Sequence, residues 1–143
     1  MTLDPHVSMI GIGTADLERS VAFYEALGWR RSSASTPRMI FLRLRNLCVG
    51  LHPRDMLAAD AGLSAAGEGF RAVTFAHNVR SDAAVDAAFA VAEAAGGQIV
   101  KRPERKAWGG YSGYFADPDG NLWEVAHNPY VELNDDGTMD LPA

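Results

Sequence analysis

The chain has 143 residues, 48% hydrophobic and 22% charged, which suits one folded domain with its own core and excludes a disordered or low-complexity chain. A formal net charge of -5 with scattered basic residues disfavours nucleic acid and anionic membrane as partners. Cys48 is the single cysteine, so no internal disulfide or multi-cysteine zinc site is available; with no leader-like start and no apolar run of about 18 residues, a soluble cytoplasmic protein is expected.

The first expected element is a buried strand from Val7 to Gly13, carried by Val7, Met9, Ile10 and Ile12. The period then changes. Asp16 can cap a helix over residues 16–27 whose Leu17, Val21, Tyr24 and Leu27 form one stripe, with Gly28 as its stop signal. Three short strands follow at Trp29–Ser33, Met39–Leu44 and Leu47–His52, the last two joined by a tight turn at Arg45-Asn46. These elements make a βαβββ module over residues 7–52. The Ala-, Asp- and Gly-rich stretch 53–69 reads as a linker with a short helix from Asp55 to Ala61.

The order then recurs over residues 70–128. Phe70 to His77 reads as a strand; Ser81 caps a helix with Val85, Ala88, Phe89, Ala92 and Ala95 on one face, ended by Gly96-Gly97. Strands are expected at Gln98–Lys101, Gly113–Ala116 and Asn121–His127, with a turn at Asp117-Pro118-Asp119-Gly120 between the last two. The tail, residues 129–143, is read either as a small hairpin around Asp136-Gly137 or as a frayed acidic end. Ala22 to Gly28 is echoed by Ala90 to Gly96, each closing a helix before a strand, which points to an internal duplication. The fold class is therefore α+β: a single domain of two βαβββ modules in tandem, forming a curved mixed sheet around a central cavity.

Asp16-Leu17-Glu18-Arg19-Ser20 with Phe23-Tyr24-Glu25-Ala26-Leu27-Gly28, and Tyr114 to Asn121 running into Leu122-Trp123-Glu124, resemble the first-helix and closing-hairpin signatures of the vicinal oxygen chelate superfamily, the glyoxalase, bleomycin-resistance and extradiol-dioxygenase proteins. In metal-dependent members the resemblance implies four His or carboxylate ligand positions, on the first and last strand of each module. Here they fall on Met9, near Gly50, near Arg71 and on Glu124, and only the last can hold a hard or borderline divalent ion. No cofactor is expected on that reading; the alternative, a divalent metal, requires His52 and His77 to point into the cavity with Glu124. His6 and His127 lie an odd number of residues from the expected positions and should point away.

Glu124 reads either as a cavity acid or base or as the partner of Arg71 in a structural ion pair. Arg71 could instead present its guanidinium to an anionic ligand. Trp108, Tyr111 and Tyr114, set among glycines, suit either a lid that stacks on a flat ligand or core filling. Met39 and Phe41 line or support the cavity, and His52 and His77 are ligand contacts or hydrogen-bonded strand ends. Cys48 reads as a small core hydrophobe. The function expected first is a metal-independent protein that binds or sequesters a small molecule, working as a homodimer. A metal-dependent lyase, isomerase or dioxygenase, and a metal-free proton-transfer enzyme using Glu124, are the alternatives.

Overall fold

A computed structural model describes residues 3–142, which form two compact units meeting in sequence between Gly67 and Glu68. In the first unit β1 (Met9–Thr14) leads to α1 (Leu17–Ala26), then β2 (Arg30–Arg31), β3 (Ile40–Arg43), β4 (Cys48–Pro53) and α2 (Arg54–Asp60). The sheet order is β1-β4-β3-β2, with β1 parallel to β4 and the other pairs antiparallel. Period-2 alternation puts Ile12, Ile40, Leu42, Val49 and Leu51 on one buried face, and α1, whose Val21, Phe23 and Tyr24 are also buried, packs against β4. Each such aliphatic side chain contributes roughly 1.5–3 kcal/mol by leaving water. The opposite face carries Met9, Gly11, Phe41, Cys48, Gly50 and His52, and α2 packs along β1 and β4.

The second unit repeats the plan. It runs β5 (Thr74–Asn78), α3 (Asp82–Ala94), β6 (Gln98–Arg105), β7 (Tyr111–Ala116) and β8 (Leu122–His127), in sheet order β5-β8-β7-β6. Phe89 of α3 meets Phe115 edge-on, and Phe75 lies against Trp123, so these odd-numbered strand residues face the helix. Thr74, Ala76, Ser112, Tyr114, Leu122 and Glu124 line the other face.

The duplication is plainest at the helix ends. Asp16 accepts a hydrogen bond from the Arg19 amide, and Ser81 accepts one from the Ala84 amide. Both helices close in the same way: Gly28 and Gly96 take positive φ (93° and 92°), while Trp29 N–H reaches back to the Tyr24 carbonyl and Gly97 N–H to that of Ala92. The expected turns also form. Leu44 N–H bonds the Leu47 carbonyl across Arg45-Asn46, and Gly120 N–H bonds the Asp117 carbonyl. Asp117, 3% exposed, locks that second turn by accepting from the amides of Asp119 and Asn121.

Several boundaries differ from the sequence expectation: β1 begins at Met9 rather than Val7, and β7 at Tyr111 rather than Gly113. The strand expected from Phe70 starts only at Thr74, because Gly69 (φ 82°) and Ala72 (φ 57°) break the extended chain. The strand expected to end at Lys101 continues to Arg105 through two register irregularities, which accommodate Pro103 on an edge strand where its missing N–H is harmless. The strand expected over Trp29–Ser33 pairs only at Arg30 and Arg31. The tail turns back on itself with a Leu133–Met139 bridge, and the Arg80 guanidinium donates to the carbonyls of Leu133 (3.0 Å) and Asn134 (2.6 Å). Among the described residues no helix is long and apolar enough to cross a membrane.

Candidate functional site

The helix-free face of the second unit carries its chemistry in one row. Ala76 lies beside Glu124, Glu124 opposite Tyr114, and Tyr114 opposite Lys101, across all four strands. The irregularity between Ile99 and Lys101 makes this row. Ile99 pairs with Phe115, so a regular ladder would set Val100 against Tyr114; the bulge skips Val100 and brings Lys101 round instead. Gly113 lies beneath the bulge, where an added Cβ would stand 2.6 Å from the Lys101 carbonyl oxygen and 2.7 Å from both Phe89 Cζ and the Pro103 nitrogen.

Tyr114 stands opposite Glu124 in register. Burial, followed by the charge and hydrogen-bonding capacity of the Glu124 carboxylate, holds the Tyr114 phenol above its ordinary range, while the Lys101 ammonium opposes the shift. Lys101 is itself held above its usual range by its hydrogen bond and 2.7 Å ion pair with Glu104, whose other cation is Lys106 at 3.0 Å. Two residues before Tyr114 and on the same face, Ser112 is 1% exposed, and its hydroxyl has no hydrogen-bond partner among the described residues. Carboxylate, phenol, ammonium and buried hydroxyl thus form a polar strip on an otherwise small-residue surface.

Several expected members stand elsewhere. Arg71 does not pair with Glu124: it precedes β5, and its guanidinium donates to Asn121 Oδ1 (2.8 Å) and to the Asp119 carbonyl, bracing the closing hairpin. His77 pairs in register with Val125 and so points to the helix side, opposite Glu124; desolvation there lowers its pKa from the ordinary 6.5. The shifted register that would have joined His77 to Glu124 is therefore not adopted. Tyr111 also faces the helix side, donating to Asp86 at 2.9 Å beneath the Arg105 guanidinium. His127 points away from Glu124, as expected, and bonds Asp82 through Nδ1 at 2.8 Å. Asp82 also pairs with Arg105. The Trp108 ring folds over Gly110 within its own loop, and the Tyr130 hydroxyl sits against Gly109.

In the first unit, Met39, Phe41 and His52 share the face opposite α1 with Met9. His52 Nε2, Met9 Sδ and Met39 Cε all lie within 3.5 Å of where a Cβ on Gly50 would stand. Leu57 of α2 flanks this cluster at Gly11.

The structure also corrects one ligand position. Met9 stands seven residues before the cap Asp16 and pairs beside Cys48, two before Gly50; the residue seven before the cap Ser81, paired beside Leu122 two before Glu124, is Thr74, not Arg71. The four positions therefore hold Met9 and Gly50 in one unit and Thr74 and Glu124 in the other. Among the described residues no three His, Cys, Asp or Glu side chains gather as a metal site needs.

Lys101 and Ser112 are not marked as site residues by the sequence pattern. Pro103, just past the end of the expected strand, is the one signal of the irregularity that sets Lys101 opposite Tyr114; nothing in the sequence marks Ser112.

Residues 6–125 match the model of the Glyoxalase/Bleomycin resistance protein/Dioxygenase superfamily. No curated protein matches the chain. A glyoxalase-related enzyme from Fulvimarina pelagi is 33% identical, with 97% of this chain and 99% of that one covered and a TM-score of 0.87. A glyoxalase/bleomycin resistance protein/dioxygenase from Nocardioides is 26% identical over 89% and 85% of the two chains, with a TM-score of 0.75. Lactoylglutathione lyase from Agrobacterium tumefaciens, 18% identical over 89% and 96% with a TM-score of 0.65, shares the fold alone.

Proposed function

We propose, because this chain belongs to the Glyoxalase/Bleomycin resistance protein/Dioxygenase superfamily, that it binds a small molecule on the Glu124 face of its second unit without a divalent metal. The observation that carries the reading is the set of side chains at the four positions where metal-dependent relatives would hold an ion. Thioether, hydrogen, hydroxyl and one carboxylate do not make a hard or borderline site, which needs three or more nitrogen, oxygen or thiolate ligands.

The unpartnered Ser112 hydroxyl supports a polar ligand, since a buried donor without a partner costs about 1–3 kcal/mol until something bonds to it. An oxygen-bearing organic molecule suits Ser112 and the Lys101 ammonium together. We read the working form as a homodimer, which sedimentation at micromolar concentration tests.

The experiment is elemental analysis of untagged protein purified without chelators, followed by add-back of Zn, Ni, Mn and Fe. Metal well below one equivalent, with no gain on add-back, is expected. One tightly held equivalent of a divalent ion would favour the metal-dependent lyase, isomerase or dioxygenase instead.

The Glu124–Tyr114–Lys101 row favours a second reading, metal-free proton transfer. Glu124 would take a proton from a carbon acid while Tyr114 and Lys101 hold the charge that develops on the neighbouring oxygen. On that reading Glu124→Gln abolishes turnover and leaves ligand binding in place; unchanged turnover would remove it.

A further inference from the structure

We propose that the second unit grips its small molecule by a carboxylate, seated on the ammonium groups of Lys101 and Lys106 beside the Ser112 hydroxyl. The inference rests on the reading of this face as a ligand site and adds the class of ligand. Both ammoniums reach one atom, Glu104 Oε1, which stands 2.7 Å from Lys101 Nζ and 3.0 Å from Lys106 Nζ. The two nitrogens are therefore no further apart than those distances laid end to end, a gap that the two oxygens of a carboxylate bridge with hydrogen bonds of about 2.8 Å on either side. One carboxylate against two cations leaves one positive charge over. Lys106 is the more buried cation, its side chain 16% exposed, and its backbone is fixed: its N–H bonds the Gly110 carbonyl at 2.8 Å, and its carbonyl accepts from the Gly109 N–H at 2.9 Å. Its ammonium carries three donors and, among the described residues, bonds only Glu104 Oε1. A charge taken this far from water is costly unless it is well paired, so a further acceptor stabilises it.

A second observation is independent of the lysines. Ser112 of β7 pairs in register with Glu104 of β6, so the two share a face with Cβ atoms about 5 Å apart. Its hydroxyl, in a residue 1% exposed, has no partner among the described residues, and an incoming oxygen gives it one. The charge count then selects the ligand. A carboxylate brings the single negative charge that cancels the surplus, whereas a phosphate monoester, at about -1.5 to -2 near neutral pH, overshoots it beside Glu104. The pairing also keeps Lys101 and Glu104 in their charged forms. Glu124 lies two strands from Lys101, beyond Tyr114, about 10 Å across the sheet. Like charge thus holds the ligand carboxylate at the β6 edge and leaves the rest of the molecule over Tyr114, toward Glu124.

The test is a titration of the isotope-labelled full chain with acetate, exchanged for chloride at constant ionic strength and followed by NMR through the Ser112 amide and the ammonium resonances of Lys101 and Lys106. Saturable shifts that move together are expected, with inorganic phosphate binding more weakly. Lys106→Gln should weaken acetate at least about tenfold, the scale of a hydrogen bond to a charged group, and Ser112→Ala roughly three- to tenfold; Lys106→Arg should restore most of the binding. Glu104→Gln separates a ligand anchor from an ion-pair network that only braces the hairpin. Removing the resident carboxylate frees both ammoniums, so acetate should bind more tightly, whereas a brace would lose what binding it had. Arg102→Gln removes a cation of the same strand that is paired with Glu93, and should change nothing. Shifts that are absent in the wild-type chain, that survive Lys106→Gln or that fall equally in Arg102→Gln overturn the anchor, as do weaker binding in Glu104→Gln and tighter binding of phosphate. A chain that holds one equivalent of divalent metal while its acetate shifts still depend on Lys106 loses the metal-free reading alone; a metal-free chain indifferent to acetate loses the anchor alone.

Discussion

Replacing Gly113 by alanine tests the bulge that builds the polar row. A methyl group there would meet the Lys101 carbonyl oxygen at 2.6 Å, Phe89 Cζ at 2.7 Å and the Pro103 nitrogen at 2.7 Å. All three distances are shorter than a carbon normally tolerates, and two of the three atoms are backbone, one within a proline ring that cannot rotate away. Overpacking of a core typically costs about 1–3 kcal/mol, and the rigid neighbours put this site at the upper end, about 2–3 kcal/mol. Gly50→Ala is the internal comparison. Its contacts, 3.1–3.5 Å, fall on the ends of the flexible side chains His52, Met9 and Met39, so its cost should stay below about 1 kcal/mol. Urea denaturation followed by tryptophan fluorescence reads both, the midpoint of Gly113→Ala falling by roughly 1 M at unchanged slope. A loss within about 0.5 kcal/mol of zero, the range of ordinary surface changes, would show that the strand does not bulge over Gly113 and that Lys101 does not oppose Tyr114.

Ser81→Ala removes the cap of α3 and should cost about 1 kcal/mol, with Ser81→Asp retaining most of it, by the same denaturation measurement. Glu124→Gln removes the charge beside Tyr114, so the phenol titration, read by ultraviolet difference against Tyr114→Phe, should move down toward the ordinary value while burial keeps it above; an unmoved titration would show that Glu124 does not act on Tyr114. Desolvation lowers the folded-state pKa of His77 below 6.5, so as pH falls through that value the unfolded chain takes up a proton that the folded chain refuses, and stability declines. His77→Gln should flatten that part of the pH–stability curve, and an identical slope in the variant would contradict the lowered pKa of His77.

Local rules make much of the fold legible in the sequence alone. Asp16, Ser81, Gly28 and Gly96 sit where cap chemistry requires them, and the alternation of Ile40, Leu42, Val49 and Leu51 marks a buried face on its own. What the sequence withholds depends on register. Whether Lys101 or Val100 opposes Tyr114 turns on one skipped residue in β6, and a one-residue slip reverses every side chain beyond it. Arg71 stands away from its expected position for a related reason: the positive φ of Ala72, a residue with no turn signature, delays β5 by four residues from the expected start and leaves Thr74 where the arginine was expected. His77 does not join Glu124 because parallel pairing sets it beside Val125 rather than one residue away. Met39, Phe41 and His52 share one face, as their spacing implies, yet the convergence of the methionines and the imidazole over Gly50 depends on rotamers that spacing alone does not fix.

The proposal that the chain works without a divalent metal is tested most directly by thermal unfolding with and without Zn, Ni, Mn or Fe(II). An ion at 100 times its dissociation constant that binds only the folded state adds about 2.7 kcal/mol of stability, which a melting curve resolves easily. An unfolding midpoint unmoved by each of the four ions is the predicted result. A midpoint that climbs with the concentration of one of them, and returns when Glu124 is replaced by glutamine, would contradict it.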